Sequence, residues 1–222
     1  RCHWPGADRA AVAGPRHRFP GRGSQAADIA EILLRTQITA LLRAGTRGEL
    51  YVMLPMITGP EEWDDVMQEV EHCKEHLERR GVEFDKDLEF GCLIEIPAAA
   101  LVADQIIDHG AKFLAIDIDD LVRYTLAANT KDESRRYGRA DAPAVRRLVN
   151  MVCRMAKDRN VPVFMCGVKT NALPAMETYL RDGIHAYCME AAILNDLKAK
   201  FMDLDLNQAP TQEEPDKTLP TA

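Results

Sequence analysis

The chain has 222 residues, of which 46% are hydrophobic and 28% charged, the balance of a folded globular domain. Its 35 acidic side chains outnumber 28 basic ones for a net charge of −7, so there is no overall basic excess of the kind a nucleic-acid binder carries. No run approaches the roughly 18 apolar residues of a membrane-spanning helix, and neither nucleic acid nor membrane is expected as a partner.

The first 27 residues read as an irregular leader. Arg1, Arg9, Arg16, Arg18 and Arg22 face the single acid Asp8 over residues 1–22, and Pro5, Gly6, Gly14, Pro15, Pro20 and Gly21 punctuate the stretch. Residues 28–206 then form one domain. Ile29, Ile32, Leu33, Ile38, Leu41 and Leu42 space an amphipathic helix over 28–44, stopped by Gly45.

Beyond Gly45, short apolar runs alternate with longer amphipathic segments. Strands are expected at 50–56, 88–94, 112–118, 161–165 and 184–189. Helices are expected at 61–80, 97–109, 120–128, 143–159, 173–181 and 191–202. Residues 129–141 read as an exposed polar loop. The tail 207–222, rich in Pro, Thr and acid, is expected to be disordered.

A repeating strand–helix pattern gives an α/β fold with a parallel sheet and outer helices. A doubly wound open sheet and part of a (β/α)₈ barrel both fit. In either, function gathers at the carboxyl ends of the strands. Those ends carry Glu95, then Asp117, Asp119 and Asp120, then Cys166-Gly167, then Cys188 and Glu190.

Glu95 and the Asp group suit a hard divalent cation such as Mg²⁺, which takes oxygen ligands. The same residues also fit a helix cap at Asp119 and a solvated surface pair at Glu95. Cys166 is either a buried apolar spacer or a reactive thiol. His72 and His76 stand four apart on a strongly charged helix, a spacing open to metal but more common on a solvated face. The six cysteines, at 2, 73, 92, 153, 166 and 188, form no Cys-x-x-Cys pair, which points to a reduced, cytoplasmic chain without disulfides.

Four motifs in order make the sequence recognisable: Leu54-Pro55-Met56-Ile57, Glu95-Ile96-Pro97-Ala98-Ala99, Asp119-Asp120-Leu121 with Tyr124-Thr125-Leu126-Ala127, and Met165-Cys166-Gly167. Together they resemble the C-terminal barrel of the phosphoenolpyruvate-utilising enzymes. Within that family the Tyr-Thr-Leu-Ala run is similar to the phosphoenolpyruvate–protein phosphotransferases, the Enzyme I type. The resemblance implies a partial (β/α)₈ TIM barrel of the phosphoenolpyruvate/pyruvate type, the substrate pair phosphoenolpyruvate and pyruvate, and Mg²⁺ as cofactor.

It further implies that Glu95 and Asp120 hold the metal and that Asp119 and Asp120 face the substrate. Cys166 would protonate the enolate carbon, and Arg22 would contact phosphate. The family barrel carries a dimer interface, so a homodimer, or a hetero-dimer with a full-length relative, is an implied partner. The departures are equally specific. Thr130 stands where the family has a phosphate-holding Arg, Val168 stands where it has Glu, and Asp117-Ile118-Asp119 replaces Gly-Thr-Asn. Lost cations and added carboxylates both oppose a multiply charged anion. Impaired turnover, or a non-catalytic dimerisation or regulatory module, is therefore an alternative expectation.

Overall fold

The computed structural model describes residues 9–12, 25–128, 139–168, 173–189 and 191–202. Six parallel strands form one sheet: β1 (Arg9–Val12), β2 (Leu50–Leu54), β3 (Glu89–Ile94), β4 (Leu114–Asp117), β5 (Val163–Val168) and β6 (Ala186–Met189). They lie side by side in chain order. A doubly wound sheet reverses its order at a switch point, whereas a barrel wall does not. The sequential order therefore decides between the two architectures left open by the sequence, in favour of the barrel type.

Eight helices are described: α1 (Gln25–Gly45), α2 (Pro60–Arg79), α3 (Pro97–Leu101), α4 (Ala103–Asp108), α5 (Ile118–Thr125), α6 (Pro143–Lys157), α7 (Leu173–Asp182) and α8 (Ala191–Met202). α2 shows the local logic. Pro60 opens it, Glu61 and Glu62 follow, and Glu62 accepts hydrogen bonds from the Thr58 amide at 2.8 Å and hydroxyl at 2.7 Å. Its buried stripe is Trp63, Val66, Val70, Cys73 and Leu77, a 3.6-residue period that seats it against α1 and α4 within the main core. No described helix is long and apolar enough to cross a membrane.

The sheet is buried on both faces. Toward the helices lies the main core, in which Val52, Leu54, Cys92, Ile94, Leu114, Ile116 and Met165 meet the helical stripes. The opposite face holds a smaller cluster of Met53, Leu93, Phe113, Ala115, Cys166 and Cys188. Strand residues alternate between the two, as the pleat requires. Gly91 lies on the smaller face, where a β-carbon would come within 2.4 Å of the Phe113 ring.

The structure corrects several expectations. Residues 9–12, expected to be irregular, form β1 and pair with Leu50–Met53 of β2, a tertiary partnership that local Pro and Gly signals do not report. On α1 the buried stripe is Leu34, Ile38 and Leu42, while Ile32 and Leu33 are exposed. The single helix expected over 97–109 breaks at Val102, whose φ is −122°. Both pieces pack on α6, and no proline or glycine marks the break. Cys73, Cys92, Cys153 and Cys166 are free thiols, but Cys188 is disulfide-bonded, against the expected chain without disulfides.

Candidate active site

The carboxyl ends of β3, β4 and β5 converge on one rim. Glu95 follows β3 directly and shares the pleat parity of Leu93, so it belongs to the smaller, barrel-facing side. Asp117 ends β4 with the parity of Ala115 and is paired in register with Cys166 of β5. Three acids thus gather. Glu95, Asp117 and Asp120 each offer a carboxylate oxygen within 4.8 Å of the others. Hard oxygen donors suit Mg²⁺, which takes one or two carboxylates and completes its shell with water and substrate oxygens.

Each acid is held by its own device. Glu95 is 7% exposed, and its Oε2 accepts the Met56 amide at 2.6 Å. Met56 adopts φ +60°, a left-handed conformation that a non-glycine residue takes only under surrounding constraint. The Leu-Pro-Met-Ile motif therefore serves the site through its backbone rather than its side chains. Asp117 caps α5, its Oδ1 accepting the amides of Asp119 at 3.1 Å and Asp120 at 3.2 Å. Burial raises the Asp117 pKa above the ordinary range, and repulsion from Asp120 and Asp119 adds to this against the two amide bonds. Asp120, in the first turn of α5, pairs with Arg123 at 2.8 Å. The Arg123 guanidinium also lies over the Tyr124 ring at 4.2 Å.

Cys166 sits where β5 is irregular. The β5–β6 register shifts between Met165 and Val168, and Gly167 adopts φ +70°. Bulges of this kind re-aim a side chain beside a site. A β-carbon on residue 167 would stand 2.2 Å from Asp117 Oδ1, so glycine is required by both conformation and space. The Cys166 thiol is 8% exposed. Burial first, then the charges of Asp117, Glu95 and Asp120, push its pKa well above the usual thiol value. At neutral pH it is a protonated thiol, suited to donating a proton rather than attacking as a thiolate.

Of the residues expected from the sequence, Glu95 and Asp120 come together, and Asp117 joins them as a third carboxylate. Asp119 follows Asp117 on α5 but is not part of the triad of converging oxygens. The capping role expected at Asp119 falls to Asp117 instead, because the helix begins two residues earlier than expected. Arg22 and Thr130 lie outside the described residues. Val168 is 2% exposed and packs in the main core. His72 is half exposed beside Glu69 at 3.6 Å and, with His76, lines a groove between α1 and α2 that shares no residue with the acid rim. Arg123, paired with Asp120, is not among the residues the sequence singles out; its spacing three residues after Asp120 on a helix is the available signal.

Comparison with known proteins identifies the family and the fold. Residues 21–206 match the family model described as PEP-utilising enzyme, PEP-binding domain. The phosphoenolpyruvate-protein phosphotransferase of Priestia megaterium is 34% identical over 188 residues, covering 84% of this chain and 32% of that protein. That of Bacillus subtilis is 32% identical over 183 residues, covering 82% and 32%. The chain thus spans about a third of the length of these relatives. Among solved structures, a citrate lyase from Burkholderia xenovorans superimposes with a TM-score of 0.56 at 19% identity, covering 81% of this chain and 60% of that one. This likeness confirms the TIM-barrel-like fold. With the family model covering most of its length, the chain belongs to the phosphoenolpyruvate-utilising enzymes, in their phosphoenolpyruvate-binding domain.

Proposed function

We propose that this domain binds phosphoenolpyruvate with Mg²⁺ and supports phosphotransfer of the Enzyme I type, from phosphoenolpyruvate to a protein histidine, releasing pyruvate in the cytoplasm. The observation that carries the reading is the convergence of Glu95, Asp117 and Asp120 beside the protonated Cys166 at the strand ends. Glu95 and Asp120 would hold the cation, with Asp117 as a third oxygen donor. When bound, the cation would neutralise phosphate and carboxylate charge on the substrate.

The chain's own residues supply the remainder. Departure of the phosphoryl group leaves the enolate of pyruvate. Cys166 would give its Sγ proton to the enolate carbon and regain one from water. Met56, by its amide, keeps Glu95 oriented. Asp119 and Arg22 are the remaining candidates for substrate contact. A homodimer is proposed by analogy with the family barrel.

A melting series tests this reading. Mg²⁺ should raise the midpoint, and phosphoenolpyruvate added with Mg²⁺ should raise it further, because ligands that bind only the native state stabilise it by mass action. No rise with either ligand would overturn the site.

A second reading, a non-catalytic dimerisation or regulatory module, is favoured by the carboxylate excess at the rim. Three acids over-neutralise a divalent cation, and charge-assisted contacts of about 1.5–3 kcal/mol each are at stake where family cations are replaced. In this reading turnover is impaired or absent in the isolated domain. Sedimentation with a full-length relative should then show hetero-dimers while a phosphotransfer assay shows no pyruvate. Pyruvate formation by the chain itself would end that reading.

A further inference from the structure

Arg123 is the feature of this rim that the metal and proton-donor roles leave unused. It lies on α5, one turn beyond Asp120, and its Nη2 meets Asp120 Oδ1 at 2.8 Å. Its Nε is shielded from solvent and has no hydrogen-bond partner among the described residues. The guanidinium carbon lies over the Tyr124 ring at 4.2 Å from its centroid. A shielded N–H without an acceptor costs free energy, and the outer nitrogens of this partly exposed guanidinium form a planar fork suited to a phosphate or carboxylate oxygen.

We propose that Arg123 is an anion contact for the substrate at this site, competing with the cation for Asp120. The inference rests on the metal-and-phosphoenolpyruvate reading above. Without a cation, Arg123 pairs with Asp120 and offsets one charge of the carboxylate triad. A divalent cation draws Asp120 into its own shell and weakens that pair. The guanidinium is then available to a phosphate or carboxylate oxygen of phosphoenolpyruvate, at the edge of the same shell. One cation thereby answers part of the charge problem that the extra carboxylates pose.

This arrangement predicts effects of opposite sign from one substitution. In Arg123→Gln, Mn²⁺ alone should bind several-fold more tightly, read by the paramagnetic resonance signal of free Mn²⁺, because Asp120 loses its competing partner. Phosphoenolpyruvate in the presence of saturating Mn²⁺ should bind at least tenfold more weakly, read by calorimetry. Arg123→Lys should restore phosphoenolpyruvate binding only in part, since an ammonium keeps the charge and loses the fork. A variant that merely damaged the fold would weaken both ligands together and lower the melting midpoint, and that outcome would overturn the proposal. So would phosphoenolpyruvate affinity indifferent to Arg123 while Mn²⁺ binding by the unmodified protein stays intact. Failure of the unmodified protein to bind Mn²⁺ at all would instead overturn the metal site and this inference with it.

Discussion

The two faces of the sheet make opposite use of the same strands. Toward the helices, alternate residues such as Ile94, Leu114 and Ile116 are fully buried in one continuous apolar cluster. Toward the barrel interior, their neighbours form a small cluster whose upper edge carries Glu95, Asp117 and Cys166. A single residue of register separates the two, as Ile94 from Glu95 and Ile116 from Asp117. Stability and chemistry are thus divided by pleat parity within each strand. Changes on one face should move the melting temperature, and changes on the other should move ligand binding.

The largest effect that tests this division is expected at its seam. Gly167→Ala forces a β-carbon against Asp117 and an alanine into φ +70°. The left-handed conformation alone costs about 1–2 kcal/mol, and the contact adds to it. This variant should lose both stability and metal binding, because the seam serves both faces. Ile116→Ala, on the helix side, should cost roughly 2–5 kcal/mol through its cavity while leaving Mn²⁺ affinity of the folded protein within about twofold. Glu95→Gln should do the reverse, losing about 100-fold in Mn²⁺ affinity with little change in melting temperature. A Glu95→Gln protein that binds Mn²⁺ normally would break the comparison.

Much of the helix-facing side was legible because apolar periodicity reports burial, although part of the α1 stripe and the break between α3 and α4 departed from it. α8 at 191–202 agrees with the expected bounds, and the starts of β2 and of α6 agree as well. The rim was legible in part. Strand-end acids and the four ordered motifs picked out Glu95, Asp120 and Cys166. Asp117 was expected as one of a group of acids, but its double duty as cap and third donor depended on where α5 begins. The role of Met56 was hidden, since a backbone amide reached through a positive φ leaves no mark on side-chain chemistry. β1 was hidden for another reason: four residues with little local preference become a strand only beside β2.

A smaller effect separates the two duties of Asp117. Its pKa is raised by burial, with repulsion from Asp120 and Asp119. An acid whose folded pKa exceeds its unfolded value binds its proton more readily when folded. Its contribution therefore makes stability fall as pH rises through the window between the two values. On the helix layer the sign reverses. The Arg159 hydrogen bonds hold Asp108 below the ordinary carboxylate range, so that contribution is present above the unfolded pKa and is lost as pH falls through the folded one. Asp117→Asn keeps a good helix cap and removes the charge. It should melt higher than the parent at neutral pH without metal, with the gap closing toward acid, and should bind Mn²⁺ more weakly. A gap that widens in acid would mean that the charge on Asp117 stabilises the metal-free fold.

The smallest expected effect tests whether the unsatisfied polarity of this rim is confined to α5. The Thr125 hydroxyl, in the last turn of α5, is buried and lacks a hydrogen-bond partner among the described residues, as does Arg123 Nε. Both atoms belong to the helix that carries the acid rim. Thr125→Val replaces the hydroxyl by a methyl of similar size, so the desolvation cost disappears while packing is nearly kept. Stability should rise by about 1 kcal/mol, equivalent to about 2–4 °C in a chain of this size. Mn²⁺ affinity should be unchanged, because the hydroxyl is not one of the converging oxygens. A fall in the melting midpoint would show that the hydroxyl is satisfied in solution. A loss of Mn²⁺ affinity would extend the functional rim along α5 to its last turn.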